Sequence, residues 1–509
     1  MGHSASMKRH AAVLVAILAL TSLLYAGVTS SYFCGYDDFL DVQRAEFVDQ
    51  IHPAKIFTTT HYDSFKYRPL QRLSNLLSYL AAPKEAIGFR LRNLFFHELC
   101  VVAIYCLGLL LFDSWILAGV AAGFFAVHPL VNQPILQAVG GNPLANFLFL
   151  LGLDLFLLSE KRRSGPLLCL SLFCGSVALY GYEASIVLPG IMLSWWGIVY
   201  LRTKRLPDRR TIALFVLVGG LFFGSYLLVR QHFSHGARTP IYGPLVALKA
   251  IVQYGGAVLL PVDVVLAHDW FGTPLPSQID VRRFATLFLG PALAVVVLIG
   301  IFAVKYRTAI ANLLPREEWD KLLFLSLAAL FCIFPFLVFT DHVSETYITL
   351  PVAFYCLVLS RLLALIPWPT TKWMAVGALA ILLCSATWVR NQKVSACASN
   401  AKQILSNLSF PAFRQGEWRI NLAKAPGQIT LPRYGLYNYA GLDTIGTGAG
   451  GTEEYGLHGV ESALQIATGN PKLRVRVLPT SELPGQCRQL AANEVCYFVN
   501  ADNTVAPLK

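Results

Sequence analysis

The chain has 509 residues, of which 55% are hydrophobic and only 14% charged, with a mean hydropathy of +0.54. A soluble protein carries about 25% charged residues, so this composition excludes a water-soluble globular fold for most of the length. The formal charge of +12 would suit a nucleic-acid binder, but the basic residues gather in short alternate loops between apolar segments, which excludes that reading.

Met7-Lys8-Arg9-His10 precedes a long apolar run. No small-x-small site follows it, so it reads as an uncleaved first helix and not as a removed signal. A crossing takes roughly 20 apolar residues. About eleven segments qualify on that basis: 11-33, 91-112, 114-128, 143-159, 165-182, 184-201, 211-230, 283-304, 322-340, 347-366 and 373-390. The stretch 114-128 is short enough to dip and not cross. Lys161-Arg162-Arg163, the run from Arg202 to Arg210, and Lys305-Tyr306-Arg307 mark cytoplasmic loops by the positive-inside pattern. With the N-terminus inside, the Asp37 loop, region 231-282, loop 341-346 and the C-terminal tail all fall outside. Trp195-Trp196, Trp368 and Trp373 near span ends read as an interfacial belt.

The first outer loop, 34-90, is too long for a connector. Asp37, Asp38, Asp41, Glu46 and Asp49 come first, then Lys55, Lys66, Arg68, Arg72, Lys84, Arg90 and Arg92. Apolar spacing over Val42 to Ile51 and Leu70 to Leu80 predicts short helices on the membrane surface. The second outer region, 231-282, holds His232, His235, Arg238, Tyr242 and His268-Asp269 around an apolar stretch broken by Gly255, Gly256 and Pro261. It reads as a surface or re-entrant helix.

After Arg390 the composition turns polar. Residues 391-509 predict a small extracytoplasmic α/β domain following the transmembrane module 1-390. The Gly-rich stretch 441-451 introduces no clear helix and reads as a loop. Most of the 11 cysteines lie in apolar helices, where cysteine acts as a small hydrophobe. Cys397, Cys487 and Cys496 lie in the tail, and an oxidising compartment would allow Cys487 and Cys496 to pair. No metal-ligand spacing emerges, from His232, His235 and His268-Asp269 included, so neither metal nor other cofactor is expected.

Inverting sugar transfer from a lipid phosphate needs a carboxylate to take the acceptor proton and cations to stabilise the departing phosphate. The first outer loop offers Asp37 or Asp38 as base, and Arg68, Arg72, Arg90 or Arg92 for the phosphate, arginine suiting it through its planar fork. The plainer alternative is that the acids cap a surface helix and the bases touch lipid headgroups.

Aromatic-Asp37-Asp38 after the first span, Tyr67-Arg68-Pro69-Leu70, Phe95-Phe96-His97, Phe124-Phe125-Ala126-Val127-His128-Pro129, Tyr182-Glu183 before Val187-Leu188-Pro189-Gly190, and Glu345-Thr-Tyr347-Ile-Thr-Leu350-Pro351 occur in that order. Over residues 15-365 this resembles the GT-C glycosyltransferases, in particular the membrane half of the transmembrane and tetratricopeptide-repeat O-mannosyltransferases and their bacterial relatives. The resemblance implies an all-α polytopic membrane fold that takes a polyprenyl-phosphate-linked sugar and acts outside the cytoplasm, here at a bacterial inner membrane. It maps the catalytic carboxylate to Asp37 or Asp38 and the Arg-Pro-Leu motif to Arg68-Pro69-Leu70. Gly141-Asn142-Pro143-Leu144 lacks both charges of the usual Gly-Arg-x-Asp, and Glu345-Thr346 replaces Glu-Arg. The tetratricopeptide array is missing.

The expected enzyme thus moves a sugar to a hydroxyl of a glycan, lipid or protein acceptor, among membrane lipids and with no nucleic acid. Arg68 and Arg92 would hold the donor phosphate. His97, beside Glu98, together with His128, Glu183 and Glu345, beside Asp341 and His342, would shape the sugar or acceptor site, an isolated carboxylate between apolar helices being a functional candidate by default. The rivals are an O-antigen polymerase or ligase, and a lipid-linked sugar transporter or flippase, although no internal symmetry supports the latter.

Overall fold

A computed structural model describes residues 2-60, 66-137, 142-233, 251, 254-255, 258, 315-337, 345-424, 453-477, 487, 490-491, 493-500 and 504-507. The chain is an integral multi-pass membrane protein, mostly helical, with a small α/β unit at its C-terminal end. Among the described residues, seven helices are long and apolar enough to cross a membrane. They include α1 (Gly2–Thr29), α5 (Ala86–Phe112), α8 (Pro143–Arg162), α11 (Arg209–Phe233) and α14 (Pro369–Leu408). The other two are α10 (Leu188–Thr203), continuing a 3-10 turn from Glu183, and α12 (Arg316–Ile333), running on into a 3-10 turn to Phe336.

Of the about eleven segments expected to span, seven coincide with these helices. Segments 165-182 and 347-366 form the shorter helices α9 (Gly165–Leu179) and α13 (Thr349–Ala364). Segment 114-128 forms α6 (Trp115–Ala126), which breaks at His128-Pro129 and bends by 57° into the segment ending in α7 (Asn132–Leu136). Proline and the histidine cap at that break stop the first helix and start the next. Segment 283-304 lies outside the described residues.

Between α1 and α5 lie α2 (Tyr36–Arg44), a π-turn over Ala45–Asp49, α3 (Lys55–Thr58) and α4 (Pro69–Ala81). The expected helices over Val42 to Ile51 and Leu70 to Leu80 are therefore present, the first beginning earlier than its apolar spacing suggested. Gly35 sets that start: its φ of 87° lies in the left-handed region that glycine reaches without strain. Arg90, fully buried in α5, donates to the backbone oxygens of Val28 (3.1 Å), Tyr32 (2.8 Å) and Ser31, and to Leu136 O (2.9 Å). It occupies the orphan carbonyls at the end of α1 and ties them to α7.

α14 runs unbroken through Arg390 to Leu408, so the composition change at that point falls within one continuous helix. Beyond it, β1 (Arg419–Lys424), α15 (Glu453–Thr468), β2 (Arg474–Val477), β3 (Glu494–Val499) and β4 (Val505–Pro507) form a sheet in the order β2-β1-β3-β4. β1 pairs in parallel with β2 and β3, and β4 closes the edge antiparallel. As a central parallel strand, β1 buries Ile420, Leu422 and Ala423 in near-continuous apolar sequence. Cys487 and Cys496 form a disulfide. α15 packs on α2, where Gln43 Nε2 donates to Gln465 Oε1 at 3.0 Å, and Lys84 pairs with Glu46 at 3.0 Å beside them. The tail thus rests on the helix that carries the acidic motif.

Candidate active site

α2 places Asp38 and Asp41 one helical turn apart, where residues three positions apart share a face. Both are buried. The Cys34 backbone N–H donates to Asp38 Oδ2 at 3.5 Å. Asn75, on α4, donates from Nδ2 to Asp41 Oδ2 at 3.2 Å, and its Oδ1 accepts from Arg92 Nη1 at 2.7 Å. A primary amide bonded this way has its orientation fixed, donor toward the acid and acceptor toward the cation. Arg92 also donates from Nε (3.2 Å) and Nη2 (2.8 Å) to Asn93 Oδ1. Asn93 in turn donates to Gln137 O at 2.9 Å. A carboxylate, two amides and a guanidinium are therefore locked in one relay.

Arg92, Asn75 and Asn93 line a narrow cleft together with Gln71, Ser74 and Asn142. Asn142 is buried, yet its Oδ1 has no hydrogen-bond partner among the described residues. Native interiors seldom leave such an atom unpaired.

Arg68 ends elsewhere. Pro69 opens α4 at the position where a missing N–H costs nothing, and Leu70 N donates to Tyr180 O at 2.9 Å. That bond brings the start of α4 onto the turn after α9, where Arg68 meets Glu183, with Nε at 2.8 Å and Nη2 at 2.6 Å from Oε2. Burial pulls the Arg68 guanidinium down, but the charge and hydrogen bond of Glu183 outweigh it and hold the group above its ordinary range. The two residues, given separate roles by the sequence, form one ion pair. Arg72 is likewise committed: it grips Asp49 at 2.6 and 3.3 Å and donates to Thr59 O at 2.9 Å.

The histidines have structural surroundings. His97 Nε2 lies 3.2 Å from Ala126 O, with its ring stacked on Phe125. His128 Nδ1 accepts from Leu130 N at 3.2 Å as a helix cap. Neither lines this cleft, and nor does Asp38. Glu98 Oε1 accepts from Ser22 Oγ at 2.5 Å. The side chains of Asp37 and Glu345 lie outside the described residues, as do Asp341, His342, His235, His268 and Asp269.

Sequence reasoning passed over Asn75, Asn93 and Asn142, which carry no charge to draw notice. One signal was available: Asn142 stands where the family reading expects a charged residue. Among the described residues no group of three or more His, Cys, Asp or Glu side chains converges as metal ligands would.

No family model matches the sequence. The chain is 27% identical over 348 residues to the protein O-mannosyl-transferase TMTC3 of Homo sapiens, and 27% identical over 345 residues to that of Mus musculus. Each match takes 57% of this chain and 36% of the relative, so the chain spans about a third of the length of these relatives. Among solved structures it is similar to the Archaeoglobus fulgidus oligosaccharyltransferase, with a TM-score of 0.46 and 14% identity over 81% of this chain and 62% of that one. It is also similar to ArnT of Cupriavidus metallidurans, with a TM-score of 0.37 and 12% identity over 96% and 92% of the two chains. The motif resemblance to O-mannosyltransferases is thus matched by similarity along the sequence.

Proposed function

We propose that this protein is a GT-C-type glycosyltransferase that moves a sugar from a polyprenyl-phosphate donor to a hydroxyl acceptor outside the cytoplasm. The similarity to O-mannosyltransferases supports the reaction class. The observation that carries the reading is the Asp41–Asn75–Arg92 relay, which ties the acidic helix to a guanidinium that lines the cleft.

In the reaction, Asp37 or Asp38 takes the proton of the acceptor hydroxyl as that oxygen bonds to the anomeric carbon. Attack comes from the face opposite the phosphate. The anomeric C–O bond breaks, its electron pair leaves with the polyprenyl phosphate, and the configuration inverts. Arg92 offsets the charge growing on the leaving phosphate. Asp41 anchors the relay and keeps Arg92 in register with the acidic turn. Arg68 pairs with Glu183 and, through Gln71, braces the wall of the cleft.

The test is transfer from a radiolabelled polyprenyl-phosphate hexose by the purified protein in lipid nanodiscs, with Asp37→Asn, Asp38→Asn and Asp41→Asn made singly. One of the first two variants is expected to lose about 10²- to 10⁴-fold in rate while still binding donor. Full activity in both would overturn the assignment of the base. Movement of the lipid-linked sugar across the bilayer with no transfer would replace the enzyme by a transporter.

A further inference from the structure

The helix that carries the acidic motif is too short to hold itself. α2 has 9 residues and passes at once into a π-turn, and its N-cap Gly35 makes no side-chain capping bond. A lone helix below about 12–15 residues is marginal in water. Asp38 and Asp41 share one face of it. At about 100° per residue, Gln43 lies roughly 140–160° around the helix from both, on the opposite face.

Two elements from the C-terminal part of the chain grip this motif. Ahead of it, the Ser31 and Ser395 hydroxyls share a hydrogen bond at 3.0 Å, and the Cys34 thiol donates to Val394 O at 4.0 Å, both on α14. Behind it, α15 packs on α2 with Val460, Ala463 and Leu464 buried. Gln465, on the same helix, is 3% exposed. Its Nε2 donates to Leu473 O at 2.9 Å and Pro471 O at 3.2 Å, in the segment leading into β2. An amide anchored through its N–H groups has a fixed acceptor direction. Here Oε1 is turned to α2 and accepts from Gln43 Nε2 at 3.0 Å. Lys84 adds a second tie, with Nζ 3.0 Å from Glu46, just past α2, and 3.4 Å from Ile466 O of α15.

We propose that Gln465 is a positioning residue for sugar transfer, bracing α2 from behind through Gln43 and so keeping the Asp37-Asp38 turn in register with Arg92. The C-terminal unit is then a working part of the transferase and not a separable appendage. This deepens the transferase reading and rests on it. The Asp41–Asn75–Arg92 relay restrains only the front face, and without the brace α2 can turn about that tie. Placement of this kind matters because a shift of about 1 Å can cost about 10²-fold in rate.

Two readouts on the full-length protein in nanodiscs test it, for wild type, Gln43→Met, Gln465→Met and the double variant. The first is amide hydrogen exchange over residues 36-44, which should quicken about three- to tenfold in each variant. The second is transfer from radiolabelled polyprenyl-phosphate mannose, with mannotriose and a serine- and threonine-containing decapeptide as acceptors. Here kcat should fall about 10- to 100-fold with donor KM unchanged, and the double variant should match the worse single one. Asn500→Ala, at the far sheet edge where Asn500 donates to Thr504 Oγ1 at 2.8 Å, should leave both readouts as they are. Unchanged exchange, unchanged kcat, losses that multiply in the double variant, or an equal effect of Asn500→Ala overturns the proposal. If wild type transfers to neither acceptor, the transferase reading falls, and exchange alone decides whether α15 holds α2.

Discussion

Arg72 and Asp49 are both almost wholly buried and pair at 2.6 Å, with Arg44 a more distant second cation at 3.9 Å from Asp49. Removing one member of such a pair strands the other. Arg72→Met should therefore lower stability by about 3–5 kcal/mol, read from thermal unfolding in detergent, and adding Asp49→Leu should recover only part of the loss, because Arg44 then loses its carboxylate. Arg92 lines the cleft and donates to the amide oxygens of Asn75 and Asn93. Arg92→Met should weaken donor-lipid binding about 10- to 100-fold with a folded protein, and Arg92→Lys should restore only part, since an ammonium lacks the planar fork. An unchanged donor affinity would remove Arg92 from the phosphate site. At this scale the sequence told which residue types were present but not which pairs form. Arg68, Arg72, Arg90 and Arg92 look alike in a string of letters. Their partners are Glu183, Asp49, a set of backbone carbonyls and two asparagines, and only Glu183 was singled out by apolar context.

Close helix crossings set the frame around the cleft. A Cβ on Gly108 of α5 would lie 2.8 Å from Ala118 Cα of α6, which is backbone and has no way to swing aside. Gly108→Val should push the two helices apart and cost about 1–3 kcal/mol, whereas the same change at Gly197, with nothing within 4 Å, should be far milder. Their melting temperatures in one detergent make the comparison. Helix existence was legible because long apolar runs permit little else in lipid. The start of α2 was not, since it depends on the backbone angle of Gly35 and not on hydrophobic spacing. The break at His128-Pro129 was half legible, as shortness in the run 114-128, while the bend itself comes from packing.

For the whole molecule, the topology expected from the positive-inside pattern has the tail outside the cytoplasm, where the Cys487–Cys496 disulfide would persist, and two measurements test it. Peptide mapping of protein from intact membranes, without reductant, should recover the linked pair. An impermeant thiol reagent should miss a cysteine placed at Arg205 until the membrane is opened. Labelling at Arg205 in sealed cells would invert the topology. The two-part layout could be read from composition. The seat of α15 on α2 could not, because the buried Val460, Ala463 and Leu464 say that a face is covered without naming its cover.

α14 has 40 residues, and at 1.5 Å per residue it is about 60 Å long, roughly twice the thickness of the lipid hydrocarbon. Half of it must stand clear of the bilayer as a rigid mast. At mid-length Thr387 donates to Val127 O, Arg390 to Pro129 O, and Asn391 to Leu24 O. A tilt of this mast would thus be passed to the break at His128-Pro129 and to α1 as torque.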